Sequence, residues 1–118
     1  MLSIGVISLD IIKQSTGTTL SVALVGRLDA VTAIQLDSVL KSSLDGVQLL
    51  TLDLKDLIYI ASAGLRILLK YQKLLDKSGA VMSIRNVRTE VREVLDMTGF
   101  SDFLHIVDSP TKKLSIEF

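Results

Sequence analysis

The 118-residue chain has no cysteine, no tryptophan, a single proline and a single histidine. Without cysteine there is no disulfide framework, no thiolate nucleophile and no sulfur-ligated metal site, so the fold rests on burial alone and suits a reducing compartment. An excess of charge is missing too: thirteen basic side chains balance thirteen acidic ones, which removes the electrostatic footprint of a nucleic-acid-binding protein. No apolar run reaches the roughly 18 residues of a membrane span, because Asp53, Lys55, Asp56, Arg66 and Lys70 interrupt the longest ones. The first ten residues carry no basic residue ahead of their apolar stretch and no small-residue cleavage site, so a secretory leader is not indicated and a cytoplasmic location is expected. What remains is a chain that is 48% apolar, read as one globular domain over residues 1–118 that buries roughly 65% of its unfolded surface.

Patterning divides this domain into elements. Runs 9–14 and 20–25 read as strands joined by Ser15-Thr16-Gly17-Thr18, a hairpin in which Leu20, Val22 and Leu24 share one face. Residues 1–8 are a candidate extension of the sheet. Ala33, Leu36, Val39, Leu40 and Leu44 recur at helical spacing up to the stop at Asp45-Gly46. Run 49–54, short and mostly apolar, reads as a strand covered on both faces, and such strands are usually parallel and central. A second helix starts at Ser62, lays Leu65, Leu68, Tyr71, Leu74 and Leu75 along one face, and stops at Ser78-Gly79. Its Arg66, Lys70, Lys73 and Lys77 form a basic stripe.

Run 80–85 is the next strand, and a third helix carries Val91, Val94 and Leu95 and stops at Gly99. Run 103–107 is a last strand, and Pro110 is placed to open a short C-terminal helix. The order ββαβαβαβ predicts an α/β domain whose mixed sheet starts with an antiparallel hairpin and continues through parallel crossovers, with helices packed against it.

The most chemistry belongs to Ser62, which stands where a strand gives way to a helix. Unpaired backbone N–H groups and the positive end of the helix dipole favour an anion there, such as a phosphate on the serine. The competing explanation is a plain N-cap, with Ser62 Oγ accepting a bond from a backbone N–H two or three residues on. Gly64 is likewise explained by close helix–strand packing without a ligand. A serine hydrolase is disfavoured: Ile60-Ala61-Ser62-Ala63-Gly64 lacks the first glycine of the nucleophile elbow, and His105 falls in the last strand. No catalytic residue is therefore assigned, and the protein is not expected to be an enzyme.

Neither a Gly-x4-Gly-Lys-[Ser/Thr] loop nor a Gly-x-Gly-x-x-Gly turn occurs, so no nucleotide cofactor is expected. Asp53 and Asp56 flank a strand end and read as solvated loop edges, so a metal pocket formed by these two with Asp29 is not expected. The basic stripe reads as a solvated helix face, with Arg66, one turn from Ser62, as part of a charged partner surface.

Three segments, in this order, resemble the STAS domain family (sulphate transporter and anti-sigma factor antagonist), and in particular its free-standing bacterial anti-sigma factor antagonists. They are Gly26-Arg27-Leu28-Asp29-Ala30 with Thr32-Ala33, Leu52-Asp53-Leu54 leading into Tyr59-Ile60-Ala61-Ser62-Ala63-Gly64-Leu65-Arg66, and Met97-Thr98-Gly99-Phe100. The resemblance implies partner switching. Unphosphorylated, such a protein binds an anti-sigma factor that is also a serine kinase and so frees a sigma factor for transcription. Phosphorylation at Ser62 by that kinase ends the interaction, and a serine phosphatase restores it.

By the same resemblance Asp29, Ala61, Ser62, Ala63, Gly64 and Arg66 belong to the partner-binding surface, with no direct nucleic-acid contact and no membrane insertion. The family's Asp-Ser-Ser-Gly is here Ala61-Ser62-Ala63-Gly64, which keeps the acceptor serine and the glycine and loses the aspartate and the second serine. A second implied role is that of a docking module without phosphate, such as the small cytoplasmic subunit of a lipid-trafficking ABC transporter.

Overall fold

The turn at Gly17-Thr18 closes an antiparallel hairpin between β1 (Leu9–Thr16) and β2 (Thr19–Leu28), both longer than the patterned runs 9–14 and 20–25. The computed structural model describes residues 8–107. Of the candidate extension over residues 1–8, residues 1–7 lie outside the described residues, as does the helix expected at Pro110, and Ser8 is not part of a strand. After β2 come α1 (Ala30–Ser43), β3 (Leu49–Ile60), α2 (Ser62–Ser78), β4 (Val81–Arg85), α3 (Thr89–Met97), a 3-10 turn at Phe100–Asp102 and β5 (Ile106–Val107). The five strands lie in chain order in one sheet, antiparallel between β1 and β2 and parallel thereafter. This is the mixed α/β sheet that the element order predicts.

Alternation puts Leu20, Val22 and Leu24 of β2, Leu50, Leu52 and Leu54 of β3, and Met82 and Ile84 of β4 on one face. They join Leu36 and Leu40 of α1, Leu65, Leu68 and Tyr71 of α2, and Val91 and Leu95 of α3 in a single buried core. Each such side chain contributes about 1.5–3 kcal/mol by leaving water. The opposite face carries Gln14, Ser21, Thr51, Asp53 and Arg85 around a shallow groove. Strand β3 is thus central and parallel to both neighbours as expected, but it is packed on one face only, because Thr51 and Asp53 alternate with its leucines.

Two further expectations are corrected. Strand β3 does not end at Leu54 but runs on to Ile60. Opposite β2 its register steps from Ala23↔Asp53 to Val25↔Asp56, and again from Gly26↔Leu57 to Arg27↔Tyr59. Each step places one extra residue in β3, and the two bulges move its buried positions to Leu54, Leu57 and Ile60, a spacing of three that no strand pattern displays. Gly26 sits between these irregularities at φ +119, where a side chain would also run into the Ser8 carbonyl oxygen.

At the other end, run 103–107 is not one strand. Phe103 belongs to a turn closed by its N–H to the Phe100 carbonyl, and β5 is Ile106–Val107 only. The chain is held there by the buried Gln72, whose Oε1 accepts from the His105 N–H at 3.0 Å, and by the Ile84 N–H donating to the His105 carbonyl at 2.9 Å.

Helices α1 and α2 lie side by side. The Tyr71 hydroxyl donates to the Asp37 carboxylate and approaches the Asp37 carbonyl at 3.0 Å, and Lys70 Nζ pairs with the same carboxylate at 2.8 Å. Burial, and then the bond to Asp37, push the Tyr71 phenol above its ordinary range, so it stays a donor. Among the described residues no helix is long and apolar enough to cross a membrane.

Candidate functional site: the strand–helix turn at Ser62

Strands β2 and β3 end together. Leu28 pairs with Ile60, and the Ala61 N–H donates to the Leu28 carbonyl at 2.9 Å. Each strand then passes into a helix through a single residue, Asp29 into α1 and Ala61 into α2. Two helix N-termini are therefore neighbours at the C-terminal edge of parallel strands, the edge where open α/β sheets commonly bind what they bind.

Asp29 has a structural task there. Its Oδ1 accepts from the N–H groups of Val31 and Thr32, both at 3.0 Å, while Thr32 Oγ1 accepts from the Asp29 N–H at 2.8 Å and lies 2.8 Å from the Arg27 carbonyl. This is a capping box. The bond from the Thr32 backbone, ahead of the other contacts, holds the Asp29 carboxyl below its usual range. The spacing Asp-x-x-Thr carries that signal in the sequence, where Asp29 reads only as a partner-facing acid.

The α2 terminus is built differently. Ala61, extended at φ −103 and ψ 172, occupies the cap position, and no side chain closes it. Ser62 is the first helical residue, not the cap, which corrects the N-cap explanation: the bond to Leu28 fixes Ala61 as the last extended residue, one position earlier than the serine. Ser62 is exposed, and its Oγ makes no hydrogen bond among the described residues. The first helical bond is Leu65 N–H to the Ala61 carbonyl at 3.1 Å, so the N–H groups of Ser62, Ala63 and Gly64 have no protein acceptor among the described residues.

Of the residues that the sequence brings to this site, Ala61 and Ala63 are half-buried and Arg66 is exposed. Gly64 is buried: a Cβ there would lie 2.6 Å from Leu28 Cγ, so this glycine serves close packing of α2 on the strand ends. The α2 first turn contains no acidic residue. Exposed apolar side chains surround the two helix starts: Val31 and Ile34 on α1, Ile58 and Tyr59 at the end of β3. Arg27 lies over the Tyr59 ring at 4.1 Å, and its Nε is buried with no hydrogen-bond partner among the described residues. The pattern hides Val31 and Ile34 because they fall off the Ala33–Leu36–Leu40 face of α1 and look like ordinary surface.

The remaining candidates lie elsewhere. Asp53 Oδ1 accepts from the Lys55 N–H and Asn86 Nδ2 at 3.0 and 3.1 Å, a local staple of strand and loop. His105 bonds Ile84, which is level with Leu52 on β3. From that level to Ile60 the strand rises roughly 20–25 Å, so His105 is out of reach of Ser62 as a base. The strand–helix turn thus presents a serine hydroxyl that is unbonded among the described residues, on a mixed sheet backed by helices.

This is the architecture of a small mixed α/β domain. A model of the STAS domain matches residues 10–112, and the chain belongs to the STAS domain family. It is 33% identical over 85 residues to BtrV of Bordetella bronchiseptica, assigned as an anti-sigma factor antagonist, covering 71% of this chain and 73% of that one. It is 32% identical over 66 residues to the anti-sigma F factor antagonist of Paenibacillus polymyxa, covering 56% of each. Its fold superposes on the antagonist SpoIIAA in its unphosphorylated form with TM-score 0.74 at 18% identity, covering 89% of this chain and 92% of that one. For the Bacillus SpoIIAA in the phosphorylated form the TM-score is 0.68 at 16% identity, over 92% and 98%.

Proposed function

We propose that this protein is an anti-sigma factor antagonist that works by partner switching in the cytoplasm, with Ser62 as its switch. The observation that carries the proposal is the Ser62 hydroxyl, exposed at the first position of α2 and without a hydrogen bond among the described residues. Unphosphorylated, the face formed by Asp29, Ala61, Ser62, Ala63, Gly64 and Arg66 binds an anti-sigma factor that is a serine kinase. The kinase transfers the γ-phosphoryl group of ATP to Ser62: the Oγ–phosphorus bond forms, the bond from that phosphorus to the bridging oxygen breaks, ADP leaves, and the hydroxyl proton passes to a base of the kinase. A serine phosphatase reverses the change by hydrolysis.

The physics supports this assignment. A phosphate adds about −1.5 to −2 charge, which the fold tolerates at a helix N-terminus. A partner that must desolvate this charge without compensation loses several kcal/mol. The likeness to proteins named anti-sigma factor antagonists points the same way.

The test is to incubate the protein with the candidate kinases of its genome and ATP and to locate phosphate by mass spectrometry. Modification at Ser62 is expected, together with tight kinase binding by Ser62→Ala and weakened binding by Ser62→Asp. No phosphate at Ser62 with any candidate, or equal affinity of the two variants, refutes the switch and leaves a docking module.

A further inference from the structure

The turn at Ser62 holds a cation and no carboxylate, and that decides how a phosphate is received. Ser62 and Arg66 stand at i and i+4, the spacing at which helix side chains meet, and both are exposed. Arg66 makes no ion pair or hydrogen bond among the described residues, where the ion pairs engage Lys70, Arg88 and Arg92. Three charged groups on the adjoining elements are otherwise engaged. Asp29, at the start of α1, has its Oδ1 in the cap; Asp37, further along α1, is held by Lys70 and Tyr71; Arg27 on β2 lies over Tyr59. On β3, Asp56 precedes the turn by a full stretch of strand. On α2 itself the next free cation of the outward face, Lys73, is two turns beyond Arg66.

We propose that Arg66 is the internal receiver of a phosphate on Ser62. Before phosphorylation its guanidinium is a free cation on the partner-facing surface. Afterwards it folds back onto the phosphoserine in a charge-assisted, two-pronged pair. One modification then changes the surface twice: a negative charge appears and a free cation is withdrawn. The partner that senses both is one with an acidic side chain opposite Arg66. The biological use of this device rests on the Ser62 assignment above; the ion pair itself does not.

The test therefore uses the protein alone, with phosphoserine encoded at position 62 during synthesis, and follows the second phosphate ionisation by phosphorus NMR. In R66Q this pKa is expected to rise by about 0.2–0.4 pH unit over the parent, the size set by an exposed i,i+4 ion pair. R66K is expected to fall between the two. K73Q, which removes a charge from the same helix face at a distance, is expected to leave the titration unchanged. A titration of R66Q that superimposes on the parent, or an equal rise in K73Q, overturns the proposal. A kinase that ignores Ser62 refutes the switch, whereas an unmoved titration refutes only the role of Arg66.

Discussion

Replacing Gly64 by alanine measures how closely α2 must approach the sheet. The new Cβ would lie 2.6 Å from Leu28 Cγ, 2.8 Å from Leu28 Cδ2 and 3.1 Å from Ile60 Cγ1. Neither neighbour has room to retreat: Leu28 is 0% and Ile60 4% exposed, and the interior around them is packed to crystal density. The closest atom, Cγ, is also the branch point of its side chain and cannot swing aside without moving both methyls. Two effects oppose each other. Alanine gains up to about 1 kcal/mol of helix propensity over glycine, and less at the first turn, where fewer backbone bonds are made. Forcing a methyl into a full core costs about 1–3 kcal/mol.

The clash is the larger effect, so G64A is expected to lose about 1–2 kcal/mol, or about 4–8 °C in Tm for a domain of this size. Urea unfolding measures the loss. Hydrogen exchange at the Ala61 amide reports where it arises, since an outward shift of α2 stretches the bond from that amide to the Leu28 carbonyl, 2.9 Å in the parent. A variant as stable as the parent, with unchanged exchange at Ala61, would refute the packing argument.

Other perturbations test the neighbouring elements. Asp29→Ala removes the capping box of α1 and lowers the urea midpoint at neutral pH, while Asp29→Asn, a good cap in its own right, retains most of the stability. Because the folded Asp29 carboxyl lies below its ordinary range, the parent's advantage over D29A is complete above about pH 4 and shrinks as acid protonates the folded carboxylate. A gap that stays constant down to about pH 2 would contradict this assignment. Tyr71→Phe deletes the hydroxyl that ties α2 to Asp37 of α1 and is expected to cost about 1–2 kcal/mol by chemical denaturation. A neutral result would show that the helix pair is held by burial alone.

The sequence made much of this molecule legible, and the misses have physical causes. The hairpin, the three helices and the parallel order follow from periodicity and from turn residues such as Ser78-Gly79, because those signals act within a few residues of where they are read. Strand β3 was legible only as far as Leu54. Beyond it the two bulges opposite β2 place Leu57 and Ile60 inward at a spacing of three, and bulges arise from pairing with another strand. The short β5 was overextended for a related reason: residues 103–105 look like strand, but a turn at Phe100 and the side chain of Gln72 on α2 take up their backbone bonds.

By itself, then, the sequence determined that one serine stands at a strand–helix turn, flanked by alanines and followed one turn later by an arginine, on a mixed α/β sheet. Only the tertiary structure decided what that serine is free to do. Ala61 caps α2 because its N–H reaches the end of β2, which leaves the Ser62 hydroxyl unbonded among the described residues. The pairing of α1 with α2 gives Lys70 to Asp37 and leaves Arg66 without a partner among the described residues. Both outcomes depend on contacts between segments far apart in the chain, which local propensity does not encode.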